Sequence, residues 1–409
     1  MSGLLPVADA LARILASVER PVETENLPIT AAGRRTLSAD LAARRTQPPF
    51  AASAMDGYAV RSGDVAQVPA SLRLTGTSAA GHGFAGSLGP GETVRIFTGA
   101  PVPDGADAIL IQENADAEGD RVLAREPVTP DRFIRRRGLD FHEGDVLLRA
   151  GETLDARRLA LAAASGHVEI PVRRRPRVAI LATGDELVSP GQPAAWDQII
   201  ASNALALAEL VRASGGEAID LGIAADNLPA LASAFQRARE AGADLLVTLG
   251  GASVGDHDLV QSALRGEGLE LAFWRIALRP GKPLMHGRLR DMLVIGLPGN
   301  PVSAIVCGIL FVVPAIRAML GDPAAGADRS EPARLGRALA ANDGRADYLR
   351  ARLETAPDRL PVVYPEERQD SSMLSTLGHA EALLVRPPHA EAAEAGAACR
   401  IIRLDRGLL

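Results

Sequence analysis

Several short stretches of this chain carry residues suited to phosphate and a divalent cation. One is Gly250-Gly251-Ala252-Ser253-Val254-Gly255-Asp256-His257-Asp258, which follows an apolar run at 245–249. Adjacent glycines place no Cβ between backbone and ligand. Backbone N–H groups in such a turn, near a following helix N-terminus, suit an anion. Asp256 and Asp258 do not suit a bare phosphate; they suit one that arrives with a divalent cation. A tight strand-to-helix turn accounts for the same residues equally well. Further polar or glycine-rich turns are Thr183-Gly184-Asp185-Glu186 and Gly296-Leu297-Pro298-Gly299-Asn300-Pro301, and Asp226 follows another strand candidate. Nearer the start, Ser53-Ala54-Met55-Asp56-Gly57-Tyr58 begins in a proline-bounded loop, although Asp-Gly is also an ordinary turn. Thr98-Gly99-Ala100-Pro101 offers a hydroxyl and a backbone N–H to a ligand.

The elements that must position these residues follow from periodicity. Apolar residues at helical spacing mark a helix over 4–20, stopped by Pro21. Residues 68–140 read as short strands between glycine and proline turns, and 135–154 are again β-like. A helix is expected at 155–165, then a Pro- and Arg-rich linker at 172–177. Beyond it, strand candidates at 178–182, 218–223, 244–249 and 293–297 alternate with helix candidates at 199–213, 229–241 and 257–265. A last helix is expected at 302–320. This alternation implies a parallel sheet with helices on both faces, whose ligands bind outside the carboxyl ends of the strands. One acidic turn there is noise; several at the same end are a site. The segment 333–409 alternates apolar residues between turns and reads as a small β domain or barrel.

Composition narrows the class. The 409 residues suggest more than one domain, and 47% hydrophobic content is enough for a sizeable core. A net charge of −6 gives no support for nucleic-acid binding. The runs Arg135–Arg137 and Arg173–Arg175 read as solvated loop faces. Cys307 and Cys399 cannot build a disulfide framework or a zinc site, and a reducing compartment fits. Asp9 and Arg13 stand where a signal peptide needs an apolar core, and the apolar run 304–316 is too short to span a bilayer and reads as a buried helix, so a cytoplasmic location without membrane partners is expected. Trp196 and Trp274 read as packing residues, and His257 as a helix-start residue. Asn300 and Ser202-Asn203 have plain readings too, as a turn and a helix start.

Taken together, SAMDGYAV, RIFTGAPVPDGADAI, TGDEL, GGASVGDHD, RPGKP and GLPGNPVSA resemble, in order and spacing, the MoeA family of molybdopterin molybdenumtransferases, which includes the gephyrin E domain. The resemblance runs from the first helix to the C-terminal segment. It implies an L-shaped α/β multidomain protein: a split N-terminal linker domain (1–45 plus 144–175), a β-rich domain (46–143), an α/β molybdopterin-binding domain with a parallel-rich sheet (176–325) and a C-terminal β-barrel (326–409). It implies a homodimer whose cleft is shared between subunits, and transient contact with the preceding adenylyltransferase and with acceptor molybdoenzymes. The implied reaction takes adenylylated molybdopterin and molybdate, places molybdenum on the dithiolene and releases AMP with Mg²⁺ as cofactor.

Carried onto matching positions, the resemblance implies catalytic roles for Asp56, Asp140, Glu186, Asp226, Asp258 and Lys282, with Mg²⁺ held by Glu186, Asp226 and Asp258. Substrate binding falls to Thr98, Gly250, Gly251, Ser253, Pro298, Gly299, Asn300 and Pro301. Molybdate falls to Arg279, Lys282, Ser303, Arg350 and Ser371, the cations and hydroxyl donors that a tetrahedral dianion needs. Three positions depart from the family's pattern: Ala51-Ala52 where a polar pair is common, Arg279 for a lysine and Leu249 for a serine. The chain's only lysine, against 43 arginines, is Lys282, which favours a role needing a compact ammonium. Two other functions share the fold. A scaffold would be expected to lose the pocket carboxylates. The preceding adenylyltransferase looks like the α/β domain alone.

Overall fold

The computed structural model describes residues 4–250, 259–354 and 360–404. Its centre is a six-stranded sheet in the order Glu217–Ala224, Arg177–Thr183, Leu245–Leu249, Met292–Leu297, Met285–Leu289, Glu270–Trp274. The first four strands are parallel and the last two antiparallel. Strand Leu245–Leu249 is buried throughout because successive side chains enter opposite layers and both are dry. Val178, Ile180, Val247 and Ile295 pack with helices Asn203–Ala213 and Pro301–Cys307. Ala179, Leu181, Leu246 and Val294 pack with Leu228–Glu240 and Leu259–Gly266.

The parallel strands lie where the sequence predicts them, within a residue or so at each end. The antiparallel pair does not appear in the sequence reading, because Glu270–Trp274 and Met285–Leu289 lack a clear alternation. The helix expected from 199 begins instead at Asn203, after Ile199–Ile200 pairs with Leu187–Val188 as a short ribbon. The first helix is shorter than expected, Val7–Ala16. The start of the helix expected at 257–265 lies outside the described residues; its described part is Leu259–Gly266.

Helix Pro301–Met319 is long and apolar enough to cross a membrane, yet it is 83% buried inside the protein, as a core helix is. Its middle, Gly308–Val312, is π-helical, just ahead of Pro314. Proline offers no N–H and crowds the carbonyl four residues earlier, and a wider turn relieves that crowding.

Before the central sheet the chain leaves one small layer and returns to it. Thr24–Pro28 pairs with Glu169–Arg173, and Leu41–Ala42 with Val146–Leu148. Between them lies a β-rich sheet in the order Ala108–Ile111, Gly57–Val60, Glu92–Ile96, Ala70–Ser78, Arg121–Ala124, Ala115–Glu118. At the C-terminus, Ala346–Glu354 pairs with both Val362–Pro365 and Ala382–Arg386, which closes five strands into a barrel. Leu278–Arg279 joins that barrel from the α/β side.

Two readings of side chains need correction. Trp196 is not a packing residue: it is 96% exposed. The Arg173–Arg175 run is not a solvated loop face. Arg173 donates to the Val22 carbonyl at 2.9 Å, and Arg174 forks onto both oxygens of Asp244 at 2.7 and 2.8 Å. These side chains tie the N-terminal layer to the central sheet, a long-range role that sequence proximity does not show.

Candidate active site

A cleft of ≈ 640 Å³ opens at the carboxyl ends of the parallel strands, a size suited to a small organic ligand. Four separate turns line it. Thr183, Gly184 and Glu186 follow the strand Arg177–Thr183; Asp226 follows Glu217–Ala224; Gly250 follows Leu245–Leu249; Pro298, Gly299, Asn300 and Pro301 follow Met292–Leu297. Parallel topology alone brings these stretches together, since every strand ends on the same edge.

Gly250 has to be glycine. Its φ is +99°, and a Cβ there would come within 2.7 Å of the Thr183 carbonyl oxygen. The turn therefore rests directly on its neighbour, and 3.6 Å separates the Gly250 Cα from where a Cβ on Gly299 would sit. Asn203 holds the opposite wall by donating its amide to the Gly299 carbonyl at 2.7 Å. Asn203 does more than start a helix, which the sequence could not reveal, because its acceptor lies in another motif.

The acidic side of the cleft is short of positive charge. Asp185 accepts from the Asp226 N–H at 3.1 Å. Desolvation, then repulsion by Asp185 and Glu186, raises the pKa of Asp226 above the usual carboxylate value. Asp185 is thus a third carboxylate of this cluster, quoted in the sequence motif but not assigned a role there. Gly251, Ser253 and Asp258 lie outside the described residues. Among the described residues, no three His, Cys, Asp or Glu side chains are gathered so as to hold a metal by themselves.

The residues expected for molybdate lie where the α/β layer meets the barrel, and Arg279, Lys282, Ser303, Arg350 and Ser371 are not among those lining the cleft. Asn300 donates to the Ser371 hydroxyl at 2.9 Å, and the Val302 N–H to the Ser371 carbonyl at 3.1 Å. Ser303 is buried in the first turn of the next helix. Arg350 is fully buried on a barrel strand. Its Nη2 donates to the Arg368 carbonyl at 3.2 Å, while Nε and Nη1 meet no acceptor among the described residues. Desolvation pushes its pKa below the usual value. Arg279 differs: its fork is engaged by Asp347 at 2.8 and 2.7 Å, with Asp343 at 3.7 Å. Lys282 follows Gly281, where φ is +118° and a Cβ would strike Cys307 and Leu278; the Lys282 carbonyl accepts from Ile276 at 2.9 Å.

The remaining expected residues sit on the β-rich unit. Gly57 pairs with both Ile96 and Ile111, which brings Asp56 beside the turn after Ile96. Asp56 accepts from the Thr98 N–H at 2.7 Å and from its hydroxyl at 2.8 Å. Those two bonds, backbone first, with Arg95 nearby, hold the Asp56 carboxyl below its usual pKa. Arg95 lies 5.0 Å from the centres of both the Tyr58 and Phe97 rings, a support that the sequence reading missed. Asp140 is exposed, with its N–H on the Gln47 carbonyl at 3.0 Å. Asp56, Thr98 and Asp140 are not among the residues lining the cleft within one chain. Ala52 is buried and bridges Pro101 through its backbone, so an apolar residue suits that position.

Fold and site together define an α/β multidomain protein with a ligand-sized cleft at the carboxyl ends of its parallel strands, flanked by a β-rich unit and a barrel. Comparison with known proteins makes this specific. Residues 5–166 match the MoeA N-terminal region (domain I and II), 179–318 a probable molybdopterin binding domain, and 332–404 the MoeA C-terminal region (domain IV). The molybdopterin molybdenumtransferase of Nostoc sp. is 38% identical over 78% of this chain and 75% of its own length. That of Haemophilus influenzae is 38% identical over 78% of each. A crystal structure of a molybdopterin biosynthesis MoeA protein from Pyrococcus horikoshii superposes with a TM-score of 0.85 at 27% identity, covering 98% of this chain and 99% of that one. The chain belongs to the MoeA family of molybdopterin molybdenumtransferases.

Proposed function

We propose that this chain inserts molybdenum from molybdate into adenylylated molybdopterin, cleaving the phosphoanhydride in a Mg²⁺-dependent step and releasing AMP, to give the molybdenum cofactor. One observation supports the reading: carboxylates without a cationic partner and glycine turns meet at a single cleft, and on the adjoining barrel a buried guanidinium leaves two nitrogens without an acceptor among the described residues. Backbone at Gly250 and the turn Pro298, Gly299, Asn300 and Pro301 cradle the phosphates and pterin, and Asn203 keeps that turn open. Arg350, Ser303, Ser371 and Lys282 would supply donors for a tetrahedral oxyanion, while Arg279, whose fork is engaged by Asp347, would chiefly hold the barrel to the α/β layer. Gly251, Ser253 and Asp258 belong to the same proposal.

The donor set suits Mg²⁺. Glu186 and Asp226 offer hard oxygens that repel each other, and Mg²⁺ needs only one or two carboxylates beside substrate phosphates. When bound, it screens the pyrophosphate and stabilises the leaving AMP.

The cleft is completed by a second subunit in this reading. Asp56, Thr98 and Asp140 would act from the partner's β-rich unit, which accords with their place away from the cleft of their own chain. The chain divides as 1–45 plus 144–175, 46–143, 176–325 and 326–409, in keeping with the paired strands at either end of the β-rich insert. Free thiols at Cys307 and Cys399 suit the cytoplasm. The product would pass to acceptor molybdoenzymes by transient contact. The test is a turnover assay with adenylylated molybdopterin, molybdate and Mg²⁺, following AMP release and reconstitution of an apo-molybdoenzyme. AMP release that ignores molybdate would overturn the assignment.

A further inference from the structure

At the far end of the central sheet from the cleft, two adjoining hollows of ≈ 540 and ≈ 410 Å³ share Arg34, Ala213 and Gly215 in their walls. They lie at the amino ends of the strands, since Gly215 and Arg175 stand just before Glu217–Ala224 and Arg177–Thr183. Five arginines line them: Arg34, Arg175, Arg212, Arg317 and Arg329. The acids facing them are Asp322 and Glu217, so five positive charges against two leave a surplus of three in a chain of net charge −6.

The acids present are already committed. Asp322 binds Arg317 at 2.7 Å, and Glu217 leans toward Arg177 at 3.8 Å. Arg212 reaches Glu209 at 3.5 Å. The Arg175 guanidinium has one acceptor among the described residues, the Gly215 carbonyl at 3.5 Å. Arg34 and Arg329 have no ion pair or side-chain hydrogen bond among the described residues. Arg34 also sits at φ 60°, a left-handed conformation uncommon for a side-chain-bearing residue. Desolvation, then Arg317, lowers the pKa of Arg329; desolvation, then Arg35, lowers that of Arg175. Thr36, Thr153 and Ser214 add hydroxyls to the larger hollow. No aromatic ring lines either hollow among the described residues, so a nucleobase would find nothing to stack on. Guanidinium forks and hydroxyls are the donors that phosphoryl oxygens take.

We propose that this groove binds an oligophosphate chain, at a site separate from the cleft and independent of the function assigned there. Calorimetric titration of the whole protein with inorganic tripolyphosphate, without divalent cation, tests it. Wild type should bind; Arg329→Gln should weaken binding roughly tenfold, and Arg34→Ala with Arg329→Ala roughly a hundredfold. Arg350→Met, which removes the cation given to the oxyanion in the proposed function, should leave the affinity unchanged. Circular dichroism checks folding, and Arg329→Gln, at an exposed position, carries the test if the double variant misfolds. Absence of binding, binding indifferent to the Arg34 and Arg329 changes, or binding lost with Arg350→Met would each overturn the proposal. So would a hexaglutamate peptide that binds where tripolyphosphate does not, because the site would then belong to a protein partner.

Discussion

The acidic turns of the cleft and the arginines of the adjoining barrel handle charge differently. On the acidic side, Asp185, Glu186 and Asp226 crowd one another, and the pKa of Asp226 rises in consequence. At the barrel, Arg279 is already neutralised by Asp347, while Arg350 is buried with two nitrogens that meet no acceptor among the described residues. A charge paired within the fold holds structure; one left unpaired and desolvated is costly unless something from outside completes it. In the proposed function, the acidic cluster and Arg350 are therefore the groups given to ligands, and Arg279 the one given to fastening the barrel to the α/β layer.

The largest test of this contrast is Asp226→Ala. We expect Mg²⁺ to bind roughly 10–100-fold more weakly, read as a shift in the Mg²⁺ dependence of AMP release. An unchanged Mg²⁺ curve in a folded variant would remove Asp226 from the metal site. Arg350→Met should come next. Methionine fills much of the volume, so the fold should persist, while the molybdate concentration for half-saturation should rise roughly tenfold or more. Saturation curves that overlay wild type would show the idle donors to be structural. Lys282→Arg should also weaken molybdate use with charge and fold preserved, because the forked head is larger than an ammonium; identical kinetics would show that charge alone matters there.

A pH effect on stability offers a control away from the cleft. His286 is buried, with Nδ1 on the Val294 carbonyl and Nε2 on the Ser17 hydroxyl, each 3.0 Å away. Burial lowers its pKa from 6.5 to about 4. The unfolded chain therefore binds more protons between those values. Stability is full above about pH 6.5 and should fall as pH drops toward 4, by up to about 3 kcal/mol from this group. Denaturant melts should show a shallower pH dependence in His286→Gln; an equal slope would place the effect elsewhere. The smallest effect is expected for Arg279→Lys, where one branch of a fork is lost. We expect about 1 kcal/mol of stability to be lost and molybdate saturation to be nearly unaffected. A large rise in the molybdate requirement would return Arg279 to the oxyanion site.

The gathering of four turns at one cleft was legible in the chain itself. The turns after 183, 224, 249 and 297 could be read because parallel α/β order places strand ends on one edge, and local glycine, proline and acidic residues mark those ends. The pairing of Asp56 with Thr98 was foreseen only as a shared neighbourhood; antiparallel register made it a contact. Asp185, Asn203 and Arg95 went unassigned because their roles depend on acceptors or neighbours in other motifs. Trp196 misled because an indole is usually buried, and only coordinates show that it is 96% exposed.

Sequence by itself determined the order of the parallel strands and their helices, the glycine and acidic turns after those strands, and the family, because each rests on local conformational preference and motif spacing. The tertiary structure decided which charges are neutralised. Arg279 and Arg350 are the same residue type on neighbouring strands of one barrel, yet one finds Asp347 and the other finds no acceptor for two of its nitrogens. Coulomb energy and desolvation depend on distances between residues far apart in the chain, and only folding sets those distances.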